Sequence, residues 1–198
     1  MQARAARTRQ ALVRAAAFEF DRHGYAGASI VQVCRAAGIT TGALAFHFGT
    51  KSELADAVQD HGCAAARAVV DRVRAEASST PALSLVVDLT THLARLLEED
   101  TVTRSAARLT RERPGIAPAW WSAWLPTVSE LADRAQRAGQ LHADTPPAAV
   151  AALAAYLLVG TELRTRAAHE AGRKPDAVER LQQLWKVALR GIRAARGG

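Results

Sequence analysis

The chain has 198 residues, 49% of them apolar and 23% charged, with a formal charge of +7. That apolar content supports a packed core and excludes a disordered chain, and its bias toward Ala and Leu predicts an all-α fold. The charge points to an anionic partner, nucleic acid ahead of an anionic membrane surface; the plain alternative is an Arg-rich proteome.

In chain order, the first helix is predicted from about Arg4 to His23, with Leu12, Ala16 and Phe20 on its apolar face and Gly24 as a left-handed cap. Ser29 opens a short second helix, with Gln32 completing a capping box and Gly38 stopping it. A third short helix starts behind Thr40 and ends near Phe46. Thr50 and Glu53 form a second capping box, opening a fourth helix that runs from Lys51 to about Ala77. Ser78-Ser79-Thr80-Pro81 is the clearest break in the chain. The fifth helix buries Leu83, Val86, Val87, Thr90, Leu93 and Leu97. The sixth covers about Thr101–Arg111 and ends at Pro114-Gly115. A seventh is expected from about Pro118 to Ala138, ending at Gly139. An eighth follows Asp144-Thr145-Pro146 to about Ala171, and a ninth begins near Pro175. About nine helices are therefore expected.

The short helix, the turn at Gly38 and the second short helix have the form of a helix-turn-helix. Val33, Ala37, Ile39 and Leu44 are small apolar residues suited to locking two helices at a steep angle. Thr40, Thr41, Gly42 and Ala43 are short enough to let a backbone approach base edges. Spacing alone leaves a tight helical hairpin within a bundle as an equal alternative.

The stretch from Arg9 to Leu54 resembles the N-terminal domain of the TetR family of transcriptional regulators. The resemblance rests on Leu12, Ala16, Phe20, Gly24-Tyr25, Ser29, Val33, Ala37-Gly38-Ile39-Thr40, Gly42-Ala43-Leu44, His47-Phe48 and Lys51-Ser52-Glu53-Leu54, matched without a gap. It implies a three-helix DNA-binding head on a larger helical body, hence a DNA-binding domain over residues 1–50 and a ligand-binding and dimerisation domain over residues 51–198, acting as a dimer on a palindromic operator and released by a ligand. Carried over by position, Thr40, Thr41, Gly42 and Ala43 face bases, and Ser29, His47 and Lys51 approach phosphates; His47 serves equally as a structural residue. Two positions depart from the family pattern: Ala45 replaces the usual aromatic, and Thr41 a frequent Lys. Each lost phosphate contact removes about one released counterion. Arg4, Arg7 and Arg9 are candidates to compensate.

The body is more divergent. Gly42-Ala43-Leu44 with Phe46-His47-Phe48, the register from Trp124 to Leu141, and Val159-Gly160-Thr161 resemble the γ-butyrolactone autoregulator receptors of actinomycetes, which include basic pseudo-receptors that answer to antibiotics. In that group a tryptophan lines the effector pocket, and Trp124 stands at the matching position. Trp120 is expected on the same helical face, with Trp121 pointing elsewhere; the alternative for all three is core packing. His92 is a further lining candidate, or else a helix-packing residue. Helices eight and nine are expected to form the homodimer interface, through Ala151, Ala152, Ala155 and Val159 and through Leu181, Leu184, Trp185, Ala188 and Ile192, with some of these facing the core of their own subunit instead.

No catalytic or metal motif is legible, so neither enzyme activity, cofactor nor metal is expected. Cys34 and Cys63 form no disulfide framework, which fits a reducing cytoplasm. The apolar stretch Ala148–Gly160 reads as too short to span a bilayer, and no membrane partner is expected. The rival reading is a helical small-molecule sensor with weak or no DNA binding.

Overall fold

The structure, a computed structural model, describes residues 2–116 and 119–193. Among them are nine α-helices: α1 (Gln2–Gly27), α2 (Ile30–Ala37), α3 (Thr41–His47), α4 (Lys51–Ala75), α5 (Ala82–Glu99), α6 (Thr101–Glu112), α7 (Leu125–Arg137), α8 (Pro147–Glu170) and α9 (Ala177–Ile192). The all-α expectation holds.

The chain packs as two compact units. One gathers the residues up to Ala65 with Asp100–Trp120, and the other gathers Ala66–Glu99 with the residues from Trp121 onward. A division at residue 50 therefore follows the motif but not the packing. The reason is α6, which carries Leu109 into the same core as Leu12, Ala16 and Phe20 of α1, Val33 of α2, Leu44 of α3 and Leu54 and Val58 of α4. Nothing in local periodicity announces that return.

Within the first unit, α1 is broken at Gly24, whose φ of 69° and ψ of 177° lie outside helical geometry. The carboxylate of Glu112 lies 2.7 Å from where a Cβ would stand on Gly24, and it accepts the Tyr25 backbone N–H at 2.5 Å. A side chain at position 24 would be strained in backbone and would collide. Arg108 donates to the same carboxylate at 2.6 Å and to the Asp21 carbonyl at 2.6 Å. Arg113, 2% exposed, donates to Gln59 and Ser52, pairs with Asp56 at 2.7 Å, and lies over the Tyr25 ring.

In the second unit, α5 buries Ala82, Leu83, Leu85, Val86, Leu89, Thr90, Leu93, Ala94 and Leu97, a wider stripe than expected, because α7, α8 and α9 all pack on it. Trp185 of α9 donates its indole N–H to Thr90 at 2.9 Å in this core. α8 corrects one expectation: it is 24 residues long and, by length and composition, apolar enough to cross a membrane. Its buried Val150, Ala151, Ala154, Leu158, Thr161 and Thr165 pack instead against α5, α7 and α9, as a core helix does.

The seventh helix is also corrected. Pro118 lies outside the described residues, Trp120–Ala123 form a 3₁₀ turn, and α7 starts only at Leu125. Pro126 accounts for this start. Inside a helix its ring and missing N–H would cost about 3 kcal/mol, so it must sit in a first turn.

Candidate nucleic-acid interface and effector residues

The two short helices are set by three local devices. The Ser29 hydroxyl accepts the Gln32 N–H at 3.4 Å and opens α2; the Gln32 side chain accepts from Arg35 at 3.3 Å. Gly38 then takes the left-handed conformation, φ 67° and ψ 31°, ending α2 and turning the chain. The Thr40 hydroxyl accepts the Ala43 N–H at 3.2 Å and opens α3. Val33 and Leu44 are buried between the pair.

This leaves Thr40, Thr41, Gly42 and Ala43 exposed along the leading edge of α3, together with Ala45 and Phe46. Gly42 is not required by the packing of the unit. A Cβ there would meet only the Thr40 hydroxyl, at 3.9 Å, an ordinary contact.

The other sequence candidates fall out as follows. Ser29 is half-buried and committed as a cap. His47 is half-buried in the last turn of α3, edge-on to Phe46 at 5.4 Å. Lys51 donates to the Ala26 carbonyl at 3.3 Å and lies 5.0 Å from the Tyr25 ring centroid, which ties its ammonium to the end of α1. Arg4 and Arg7 are exposed on the first turns of α1, so they sit on a helix and not on an extended arm. Arg9 stacks over the buried Phe48 ring at 4.8 Å, an interaction with no short-range sequence signal. Burial pushes the pKa of the Cys34 thiol of α2 up.

The effector candidates fall in two different units. Trp124 is 2% and Trp120 4% exposed, while Trp121 is 42% exposed. Trp120 belongs to the first unit and hydrogen-bonds through its backbone N–H to Thr110 at 2.9 Å. Trp124 and His92 belong to the second. The shared helical face proposed for 120 and 124 has no continuous helix to stand on. His92 is half-buried on α5, and its Nδ1 is buried without a hydrogen-bond partner among the described residues.

On α8 and α9, Ala151, Leu181 and Trp185 are the members of the expected stripes that are buried within their own unit rather than left for a partner. The exposed apolar stripe is Ala152, Tyr156, Val159 and Leu163 on α8, and Leu184 and Val187 on α9. Tyr156 and Leu163 are not small residues, and heptad-like spacing with Ala152 and Val159 on α8 is the signal that finds them; Val187 stands three residues after Leu184 on α9.

Residues 12–58 match the model of the bacterial regulatory proteins of the tetR family. The A-factor receptor protein of Streptomyces griseus is 30% identical over 192 residues, which cover 96% of this chain and 66% of that protein. A crystal structure of a γ-butyrolactone receptor described as ArpA-like superposes with a TM-score of 0.78 at 28% identity, over 97% of this chain and 91% of that one. CprB from Streptomyces coelicolor, in complex with its biological operator sequence, gives a TM-score of 0.76 at 30% identity over the same shares, 97% and 91%. The chain belongs to the TetR family of bacterial regulatory proteins. It spans just under two thirds of the A-factor receptor's length.

Proposed function

We propose that this chain is a ligand-responsive transcriptional repressor that binds a palindromic operator as a dimer and leaves it when a small effector binds. The observation that carries the reading is the leading edge of α3. Thr40 to Ala43 are presented to solvent by a left-handed glycine and a threonine cap, and Gly42 leaves room that the fold itself does not use. A helix entering a major groove by its N-terminal end needs such a thin edge.

The exposed stripe on α8 and α9 would join two copies. Two heads would then meet half-sites about 34 Å apart or a multiple of it. The effector, a small apolar molecule of butyrolactone-like or antibiotic-like chemistry, would favour a dimer whose recognition helices no longer match that spacing, with α4 carrying the change. Trp124 and His92, both of the second unit, are our lining candidates, and the unpartnered Nδ1 of His92 suits a polar group on an otherwise apolar ligand. Cys34 and Cys63 form no disulfide among the described residues, which suits a reducing cytoplasm. No catalytic role is proposed.

The test is titration of the purified chain with random-sequence duplex at several salt concentrations. Affinity that falls steeply with salt, followed by recovery of a palindrome from selected genomic fragments, supports the repressor. No binding in dilute buffer supports a small-molecule sensor. That second reading gains from Lys51, whose ammonium is already engaged, and from the uncharged face of α3.

A further inference from the structure

The most exposed large apolar side chain among the described residues is Phe46, at 85%. It stands on the very helix proposed to enter the groove. Leaving a phenyl ring in water forfeits the burial that stabilises other aromatics, and the aromatic partner of this ring is His47, perpendicular to it at 5.4 Å. Phe46 follows Gly42 by four residues and Ala43 by three, so the three share one stripe of α3. Helical side chains lean toward the N-terminus, which carries the ring over the leading edge and not away from it.

That stripe has an unusual chemistry for a reader of bases. Thr41, Gly42, Ala43, Ala45 and Phe46 include no Arg, Lys, Asn, Gln or acid. The bidentate donors that select guanine or adenine are therefore missing, and the Thr40 hydroxyl is committed to its cap. What the stripe offers is methyl groups and one aromatic ring. In the major groove the matching apolar feature is the 5-methyl group of thymine.

We propose that Phe46 is a specificity-determining residue that packs against a thymine 5-methyl group in each operator half-site. The proposal rests on the repressor reading above and supplies the base chemistry of its interface. It also accounts for Gly42: a glycine one turn before the ring lets the helix approach closely enough for the methyl contact.

The experiment uses the full chain and an operator duplex recovered by selection. Thymines are replaced one at a time, symmetrically in both half-sites, by deoxyuridine, which removes the methyl group and leaves base pairing intact. At one position the wild-type protein should lose affinity by about fourfold for each methyl removed. Phe46→Ala should lose affinity for the unmodified operator and be indifferent to deoxyuridine at that position, while Phe46→Leu should keep part of the effect. Circular dichroism and binding to random duplex verify that both variants fold and retain their electrostatic affinity. If every thymine tolerates replacement, or if Phe46→Ala responds as strongly as wild type, the Phe46 assignment is overturned while the repressor stands. If the wild-type chain binds no duplex at low salt, the repressor reading itself falls.

Discussion

The guanidinium of Arg104 on α6 meets the Asp21 carboxylate of α1 at 2.9 Å, with side-chain exposures of only 5% and 10%. Taking one partner from a pair this dry strands a charge, which costs about 3–5 kcal/mol. Arg104→Met should therefore lower the denaturation midpoint sharply, and Arg104→Met with Asp21→Leu should recover much of the loss, because both charges leave together. A single variant within 1 kcal/mol of wild type in urea unfolding would contradict this account of how α6 is held.

Gly62 on α4 sets two effects against each other. Alanine is a better helix former than glycine by about 1 kcal/mol. Yet a Cβ on Gly62 would collide with the Ala106 Cβ on α6, with the Thr103 Cα at 3.3 Å beside it. The neighbour is backbone and a methyl group, neither of which can swing aside, so overpacking of about 1–3 kcal/mol should win. Gly62→Ala should melt at a lower temperature, and Ala106→Gly in the same chain should relieve it.

Gly42→Ala should behave oppositely on the two readouts. The Cβ finds open space in the free protein, so stability should rise by as much as about 1 kcal/mol. The same methyl would stand between α3 and DNA, weakening operator binding by about 1–3 kcal/mol. Thermal melting and operator titration on one preparation separate these effects; unchanged operator affinity would remove the close-approach argument.

Leu184 and Leu181 share α9 but differ in surroundings, at 53% and 1% exposed. Leu184→Glu should leave the helical content intact and yield monomers by sedimentation, with operator affinity lost. Leu181→Glu should unfold the second unit, since it buries a carboxylate in an apolar core. A Leu184→Glu protein that still sediments as a dimer would move the interface elsewhere.

Asp176 accepts hydrogen bonds from Arg164 and Arg180, each at 3.0 Å, and these hold its carboxyl below the ordinary 3.8. A depressed folded value means that the ionised form favours the folded state. That contribution is complete above about pH 3.8 and is lost as the pH falls through the folded value. A carboxyl titration followed by NMR should show a midpoint under 3.8 that rises in Arg164→Gln and is salt-sensitive, because the group is exposed. A midpoint at or above 3.8 would show the two guanidinium contacts to be absent in solution.

The candidate interface was almost wholly legible in the sequence, because its determinants are local. Gly38, Ser29 and Thr40 act within a few residues of themselves, through a left-handed turn and two side-chain caps. The exposed apolar stripe was half legible: the periodicity of α8 and α9 marked apolar positions, but an alternation of apolar residues does not say which neighbour covers each. Ala151 and Trp185 turned inward while Tyr156 and Val187 stayed in solvent. The start of the seventh helix, expected near Pro118, lies at Leu125, because Pro126 lacks a backbone donor and must stand in a first turn.

By itself the sequence determined the helices that have a local start and stop, the crossed pair at Gly38, and a thin uncharged edge on the second member of that pair. Only the tertiary structure decided that α6 returns to the first unit through Arg104, Arg108, Glu112 and Leu109, that the Lys51 ammonium is engaged at the end of α1, and that Phe46 faces water. The reason is physical. Caps and turns are settled by hydrogen bonds between residues adjacent in the chain, whereas burial and ion pairing depend on surfaces that meet only after the chain has closed on itself.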